Sequence, residues 1–216
     1  MNLSKQIIHK QVEHIVKENH VHDEIKDKGK ARLKAYVQLC VQTVLEMDRD
    51  SALDCVVDGG GDFKIDAIHY SDPTTGDFTV SIFQGKYTSN LDKDGNFRET
   101  DIIISIISSI RNLFGELTAY DIHDTLIEKL NEINSYIEEG QIPTVRVYLC
   151  NNGLKWTEKA QSYIDDFANE SPMNRELYEF IYINHDTLLS IQQKDIQVDC
   201  MLTFRGKFID EELNKF

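Results

Sequence analysis

The fold is decided by the stretch VVDGGGDFKIDAIHYSDPTTGDFTVSIFQGKY, residues 56–87. It belongs to a region with three short apolar runs, 54–58, 64–70 and 78–86. DGGGD separates the first two runs and SDPTTGD separates the second and third, and clusters of Gly, Pro, Asp and Ser are typical of turns. The pattern therefore predicts three short strands joined by turns.

The third run ends in polar residues instead of another pair of branched ones. Because side chains alternate across a strand, Gln84 and Lys86 project from the same face. If residues 71–77 form a hairpin loop, a symmetric pairing places Asp66 opposite Ile82, on the face of Gln84 and diagonally next to it. Diagonal neighbours lie roughly 7 to 8 Å apart, a gap that a carboxylate, a carboxamide and one divalent cation can fill.

This combination suits the hydrolysis of a phosphodiester. Hard oxygen ligands hold Mg²⁺ or a similar ion, and a nearby lysine stabilises charge on the phosphate. A P-loop is excluded because no GK[ST] follows the glycines. An enzyme acting on small molecules is disfavoured because the sequence offers no evident nucleophile–base pair.

The rest of the chain alternates between helical and strand patterns. Two helices open it, with a break predicted at Gly29 and the second helix covering 31–47. The later predicted elements are a helix capped by Thr100, a helix at 121–139, the strand TVRVYLC, a helix at 155–168, the strand YEFIYI, a helix from His185 and a strand around VDCMLTF. This order predicts an α/β fold, with a mixed central β-sheet flanked by α-helices, in one domain spanning residues 1–216.

The order of helix, strand, Asp hairpin and QxK resembles the PD-(D/E)xK, or restriction-endonuclease-like, nuclease superfamily. More narrowly, VVDGGGDFKIDAIHY, IFQGKY, VRVYLCNNG and INHDTLLSI resemble the N-terminal part of the abortive infection phage resistance (AIPR) proteins. The resemblance covers about residues 30–208 and leaves residues 1–29 as an N-terminal helix. It implies a restriction-endonuclease-like core in which Asp66 binds the metal, Gln84 stands where most of the superfamily has Glu, and Lys86 is the catalytic lysine. Tyr87 completes the signature without an assigned role.

The resemblance also implies a function and a cofactor: an endonuclease dependent on Mg²⁺ or Mn²⁺, acting on DNA or alternatively on RNA, in anti-phage defence by abortive infection. Gln84 offers one neutral carbonyl oxygen, so the ion should bind more weakly than with Glu, although related Mrr-like nucleases also carry Gln here. Many superfamily members add a Glu from the preceding helix. That helix offers Gln38 and Gln42 in its middle, and Glu46 near its end is its only candidate acid.

Two further acidic residues, Asp58 and Asp62, flank the three glycines. Asp62 is the better candidate for an additional metal ligand. Aspartate beside glycine is also ordinary turn chemistry, so both interpretations stay open.

The loop at 90–101 resembles an EF-hand calcium loop in spacing. Its candidate ligands are Asn90, Asp92, Asp94 and Asp101, with Gly95 at the turn. Because the last ligand is one methylene short of Glu and the preceding segment has a strand pattern, a hydrophilic turn is favoured over a calcium site.

Charge and composition restrict the partners. The net charge is −14, but residues 1–50 carry 9 Lys and Arg against 8 Asp and Glu, so this quarter is the predicted platform for a phosphate backbone. The basic residues concerned are Lys26, Lys28, Lys30, Arg32 and Lys34. With no apolar run of about 20 residues and an amphipathic, charged start, the sequence predicts a cytoplasmic protein without a membrane partner.

Four separated cysteines, Cys40, Cys55, Cys150 and Cys200, are predicted to be free core thiols. An alternative to the nuclease is a catalytically degenerate nuclease fold that binds nucleic acid or protein, or regulates, and that could form a homodimer through its apolar helices. The acidic balance and the absence of a glutamate in the middle of the helix favour this alternative.

Overall fold

A sheet of four strands is covered by helices on both faces. The computed structural model of the protein describes residues 2–18, 27–57, 64–92, 103–113 and 123–196. Within these residues the helices are α1 (Leu3–Glu18), α2 (Lys28–Val44), α3 (Arg49–Asp54), α4 (Ile104–Leu113), α5 (Asp124–Glu138), α6 (Glu158–Asn169), α7 (Pro172–Leu177) and α8 (His185–Ile196). The strands are β1 (Ala67–Tyr70), β2 (Thr79–Lys86), β3 (Thr144–Asn151) and β4 (Tyr178–Ile183).

The sheet is mixed, with the order β1-β2-β3-β4. β1 pairs with β2 in antiparallel fashion, whereas β2, β3 and β4 run parallel to one another. The carboxyl ends of the three parallel strands therefore meet at one edge of the sheet, where open α/β sheets usually bind their ligands. We call this edge the carboxyl edge. The fold is α/β, as the sequence predicted.

Alternation along β2 divides the core into two layers. Ile82 packs in the layer that contains Ile106 of α4 and Leu130 of α5, while Phe83 packs in the layer that contains Val37 of α2. Helices α1, α2 and α8 also contact one another on the second face. Because both faces are covered, β2 is buried along most of its length and its polar end stands out from an apolar strand.

The β1–β2 hairpin is offset by two residues from the predicted pairing. Ile68, not Asp66, lies opposite Ile82, and Tyr70 pairs with Val80. The loop is shifted by one residue, to 72–78, because Ser71 N donates to Thr79 O at 2.9 Å and continues the β1–β2 ladder. Phe78 therefore belongs to the loop; its carbonyl accepts from Thr144 N of β3 at 2.9 Å and its ring is buried in the core.

The predicted strand at 54–58 is wrong. Asp48 caps a short helix, accepting hydrogen bonds from the backbone N–H groups of Asp50 and Ser51, so α3 extends to Asp54. What remains of the strand is one antiparallel bridge between Val56 and Ala67.

Gly29 does not separate the first two helices, as had been predicted. It lies in the first turn of α2, where Asp27 is the N-cap and accepts from Gly29 N at 2.8 Å and from Lys30 N at 3.4 Å. With Asp27 as its N-cap, α2 begins at Lys28 and includes Gly29, the residue at which a break was predicted.

The other predicted helices and strands within the described residues are present, with ends shifted by a few residues. Cys40, Cys55 and Cys150 are free and buried, as predicted. Thr100, Cys200 and the strand around VDCMLTF lie outside the described residues. In the part of the chain that the structure describes, no helix has both the length and the apolarity needed to cross a bilayer.

Candidate active site

Asp66 lies just before β1, next to the end of β2. Its backbone N–H donates to Phe83 O at 2.8 Å and its carbonyl accepts from Val57 N at 2.9 Å, so the main chain is held from both sides. Asp66 is not part of β1, and its N–H bond to Phe83 O departs from the β1–β2 register, in which Ala67 is the partner of Phe83. The Asp66 and Gln84 side chains are nevertheless in direct contact, with Asp66 Oδ2 at 2.6 Å from Gln84 Nε2.

The Asp66 carboxylate is joined to the end of β2 by two short hydrogen bonds. Its Oδ2 accepts from Gln84 Nε2 at 2.6 Å and from the backbone N–H of Gly85 at 2.6 Å. The structure therefore brings together the first two predicted site residues, at the carboxyl edge.

Of the two polar atoms of the Gln84 side-chain amide, the nitrogen is hydrogen-bonded and the oxygen is not, within the described residues. The side chain is buried, with 8% exposed, and its Nε2 also donates to Gly85 O at 3.1 Å. Its Oε1 is buried, and within the described residues it has no hydrogen-bond partner. A buried carbonyl oxygen without a partner is costly, and a cation or a donor at this position would relieve the cost.

Lys86 is the last residue of β2 and is paired across the sheet with Asn151. It is half-buried, and the alternation of the strand puts its side chain on the face of Gln84. The third predicted residue therefore lies at the same edge as the other two, where its long stem can carry the ammonium group toward solvent.

Gly85, between these two residues, is a close-packed position that the sequence analysis did not single out. A Cβ there would lie less than 3.0 Å from Val37 Cγ2, 3.2 Å from Leu33 Cδ1 and 3.6 Å from Asp66 Oδ2. Helix α2 therefore crosses β2 in direct contact with its backbone. A glycine inside a strand is the sequence signal for such a close approach.

The contact with Gly85 places the basic part of α2 near the carboxyl edge, on the face of the sheet opposite the Gln84 and Lys86 side chains. Lys30 is exposed and lies one helical turn before Leu33, on the side of the helix that faces β2. Lys28 is exposed and Lys34 half-buried in the same half of the helix. Arg32 is different, because its Nε donates to Glu13 Oε1 at 2.5 Å. Lys26 lies outside the described residues.

The structure does not bring Glu46 to this site. Val44, the last residue of α2, is roughly 10 Å along the helix axis from Val37, at a rise of 1.5 Å per residue, and Glu46 lies beyond it with a φ of +52°. Glu46 instead borders a cavity of about 470 Å³ together with Gln42, Thr43 and Gln192. Gln38, in the middle of α2, is buried and donates to Arg49 O at 3.1 Å.

The remaining predicted ligands are only partly described. Asp58 and Asp62 lie outside the described residues, as do three of the calcium-loop positions, Asp94, Gly95 and Asp101. In the part of that loop that is described, Asn90 Oδ1 accepts from Asp92 N at 3.2 Å, a hydrogen bond typical of a turn.

The donor set of the site is of the oxygen type that a hard divalent cation takes, but its amide oxygen does not face Asp66, whose Oδ2 accepts from Gln84 Nε2. It consists of one carboxylate and one amide oxygen, Asp66 and Gln84 Oε1. A half-turn of the Gln84 amide would exchange Oε1 and Nε2, leaving two oxygen atoms in contact, an arrangement that a cation between them would stabilise. No group of three or more His, Cys, Asp and Glu side chains arranged to hold a metal occurs among the described residues.

Comparisons of the chain with models of known protein families, with curated proteins and with solved structures found no match.

Proposed function

We propose that this chain is a metal-dependent nuclease domain that hydrolyses phosphodiester bonds in DNA, or alternatively in RNA. The observation that carries the proposal is the meeting of Asp66, Gln84 and Lys86 at the carboxyl edge, with a buried Gln84 oxygen that lacks a partner among the described residues. The proposal extends to a restriction-endonuclease-like core and, through the resemblance to AIPR proteins, to anti-phage defence.

Each residue has a distinct role in this proposal. Asp66 and Gln84 would hold Mg²⁺ or Mn²⁺, which when bound activates water and neutralises charge on the phosphate. Lys86 contacts the phosphate and stabilises the charge that develops on its oxygen atoms. Gly85 keeps α2 close to the strand, and its N–H fixes one oxygen of the Asp66 carboxylate at 2.6 Å.

The basic half of α2 gives the substrate a path past the site. Lys28, Lys30 and Lys34 lie on the part of α2 that reaches Gly85, on the face of the sheet opposite Gln84 and Lys86, so they can contact phosphates of a strand that continues over the carboxyl edge. The net charge of −14 opposes binding elsewhere on the protein, which favours a narrow basic track.

Cleavage of supercoiled plasmid DNA and of a labelled RNA, each with Mg²⁺ or Mn²⁺, tests the proposal. We expect the wild type to cut, and Asp66→Asn and Lys86→Met each to lower the initial rate by about 100-fold or more, since loss of one electrostatic contact to a transition state costs that much. Asp77→Asn, in the exposed hairpin loop, and Lys194→Met, near the end of α8, are controls that remove the same charges elsewhere. Wild-type protein that cuts neither polymer with either metal, or variants that cut as fast as their controls, would refute the proposal.

A second candidate function is a catalytically degenerate nuclease fold that binds nucleic acid or protein. One observation favours it: Gln84 presents Nε2, not Oε1, to Asp66, so the carboxylate accepts two internal hydrogen bonds without a metal. Metal titration followed by thermal denaturation separates the two candidates, because a metal that binds the folded state raises the melting temperature.

A further inference from the structure

Two features remain without a role in the proposed nuclease: Tyr87, which directly follows Lys86, and helix α1, which precedes the region of family resemblance. Tyr87 and helix α1 are in contact through His9. Tyr87 is half-buried, and the alternation of β2 directs its side chain to the face opposite Lys86, where α1 and α2 pack.

The Tyr87 ring is held by both helices. Its hydroxyl lies 2.5 Å from His9 Nδ1 of α1, and the two rings are nearly parallel, at 7°, with centroids 6.2 Å apart. On the α2 side, the Tyr36 ring lies 5.1 Å from it at 39°. A hydrogen bond and two ring contacts thus fix a single side chain next to the lysine.

The protonation state of the Tyr87 hydroxyl indicates which group donates this hydrogen bond. Burial, reinforced by the Glu13 carboxylate, raises the pKa of the Tyr87 hydroxyl well above its ordinary value, so the hydroxyl keeps its proton and can donate to His9 Nδ1. The other ring nitrogen of His9, Nε2, lies 4.0 Å from Glu13 Oε1.

Glu13 closes the connection between the two helices. It accepts from Arg32 Nε of α2 at 2.5 Å, and this hydrogen bond lowers the pKa of the Glu13 carboxyl. A ring of contacts therefore runs from the end of β2 to α1, from α1 to α2, and from α2 back to β2 at Gly85.

The main chain beyond Tyr87 is also fixed. Thr88 N donates to Asn152 Oδ1 at 2.9 Å, and Asn152 Nδ2 donates to Thr88 O at 2.8 Å. Asn152 is buried in the loop after β3. Lys86 therefore lies between two anchored neighbours, Gly85 under α2 and Tyr87 under α1.

We propose that Tyr87 is a positioning residue that fixes the end of β2, and with it Lys86, by joining that strand to His9 of α1. The role of Lys86 as the phosphate-contacting group rests on the proposed function, whereas the mechanical coupling of Tyr87 to Lys86 does not. Helix α1 then helps to hold the carboxyl edge in place.

Tyr87→Phe is the direct test, because it keeps the ring and its packing and removes only the hydroxyl. We expect kcat for DNA cleavage to fall about 10-fold with KM unchanged, since small displacements of a positioned group cost this much or more. In NMR spectra of the labelled protein, the Lys86 side-chain CεH₂ signal, assigned with Lys86→Met, should move. Tyr70→Phe, which removes the hydrogen bond from Tyr70 of β1 to Glu132 of α5, is the matched control and should leave both the cleavage rate and the Lys86 signal unchanged.

Substitutions at His9 test the partner. His9→Leu should reproduce both effects, the double variant with Tyr87→Phe should be no worse than either single variant, and His9→Asn, which keeps an acceptor near the Nδ1 position, should recover most of the rate.

The inference is overturned if Tyr87→Phe lowers the melting temperature but leaves the Lys86 signal in place, or if the effects of the two single variants add. If the wild-type protein cuts nothing, the proposed function fails, and the Lys86 signal still decides the coupling.

Discussion

Replacing Gly85 with alanine tests the close contact on which the site geometry depends. The new Cβ would lie less than 3.0 Å from Val37 Cγ2 and 3.2 Å from Leu33 Cδ1, so α2 or its side chains must move away from β2. Extra methyl groups in a packed core cost about 1 to 3 kcal/mol. Alanine also restricts the unfolded chain more than glycine does, which returns about 0.4 to 1 kcal/mol.

The net loss of stability for Gly85→Ala is therefore on the order of 1 to 2 kcal/mol. For a chain of this size, that loss lowers the melting temperature by about 2 to 8 °C. Urea denaturation and thermal scans followed by circular dichroism measure both quantities. Gly76→Ala is the control, because a Cβ at Gly76 meets no atom within 4 Å.

A second substitution tells this clash apart from other causes. Val37→Ala removes the methyl group that an alanine at 85 would meet, so the two changes should be less harmful together than the sum of each alone, by about 1 kcal/mol. Strict additivity, or a Gly85→Ala variant as stable as Gly76→Ala, would refute the close packing of α2 on β2.

Three other predictions use different measurements. At a metal concentration ten times its Kd, binding should stabilise the protein by about 1.4 kcal/mol and raise the melting temperature by about 3 to 6 °C, and Asp66→Asn should abolish the shift in a Mn²⁺ titration. Burial, with a smaller effect from Lys129, lowers the pKa of His69 of β1 below its ordinary value of 6.5. The neutral His69 therefore contributes stability above pH 6.5, and this contribution is lost as the pH falls. In urea unfolding between pH 7.5 and 5, the free energy of unfolding should decline less steeply for His69→Gln than for the wild type. Lys30→Met should reduce the slope of log Kd against log salt for DNA by about 1, and Kd values from fluorescence anisotropy that give the wild-type slope would contradict the basic track.

Most of the sheet was predictable because each element carries its own pattern. The predominantly apolar, β-branched and aromatic segments TVRVYLC of β3 and YEFIYI of β4, and the helical spacing of α5, are visible without tertiary information. The strand predicted at 54–58 failed because Asp48 favours a helical turn, and only one bridge with Ala67 remains. Local capping prevailed over a short apolar run.

What the sequence could not show is how α2 lies across the sheet. Glu46 was a candidate ligand because it is the only acid near the end of that helix, but the direction of the helix decides which end reaches the site. The structure places Leu33 and Val37 over Gly85, so the N-terminal, basic half of α2 faces the carboxyl edge and the C-terminal half leads away from it. Helix direction over a sheet depends on contacts distant in sequence, so no local pattern reports it.

The predicted pairing of Asp66 was two residues out of register, yet Asp66 and Gln84 are in contact. The reason is the period of a strand: a shift of two residues keeps every side chain on its face, whereas a shift of one moves the whole set to the other face. Alternation thus protects a site built from side chains on one face against any even error in register. The same rule bears on Tyr87, one residue beyond Lys86, since its place on the opposite face, against α1 and α2, follows from that alternation.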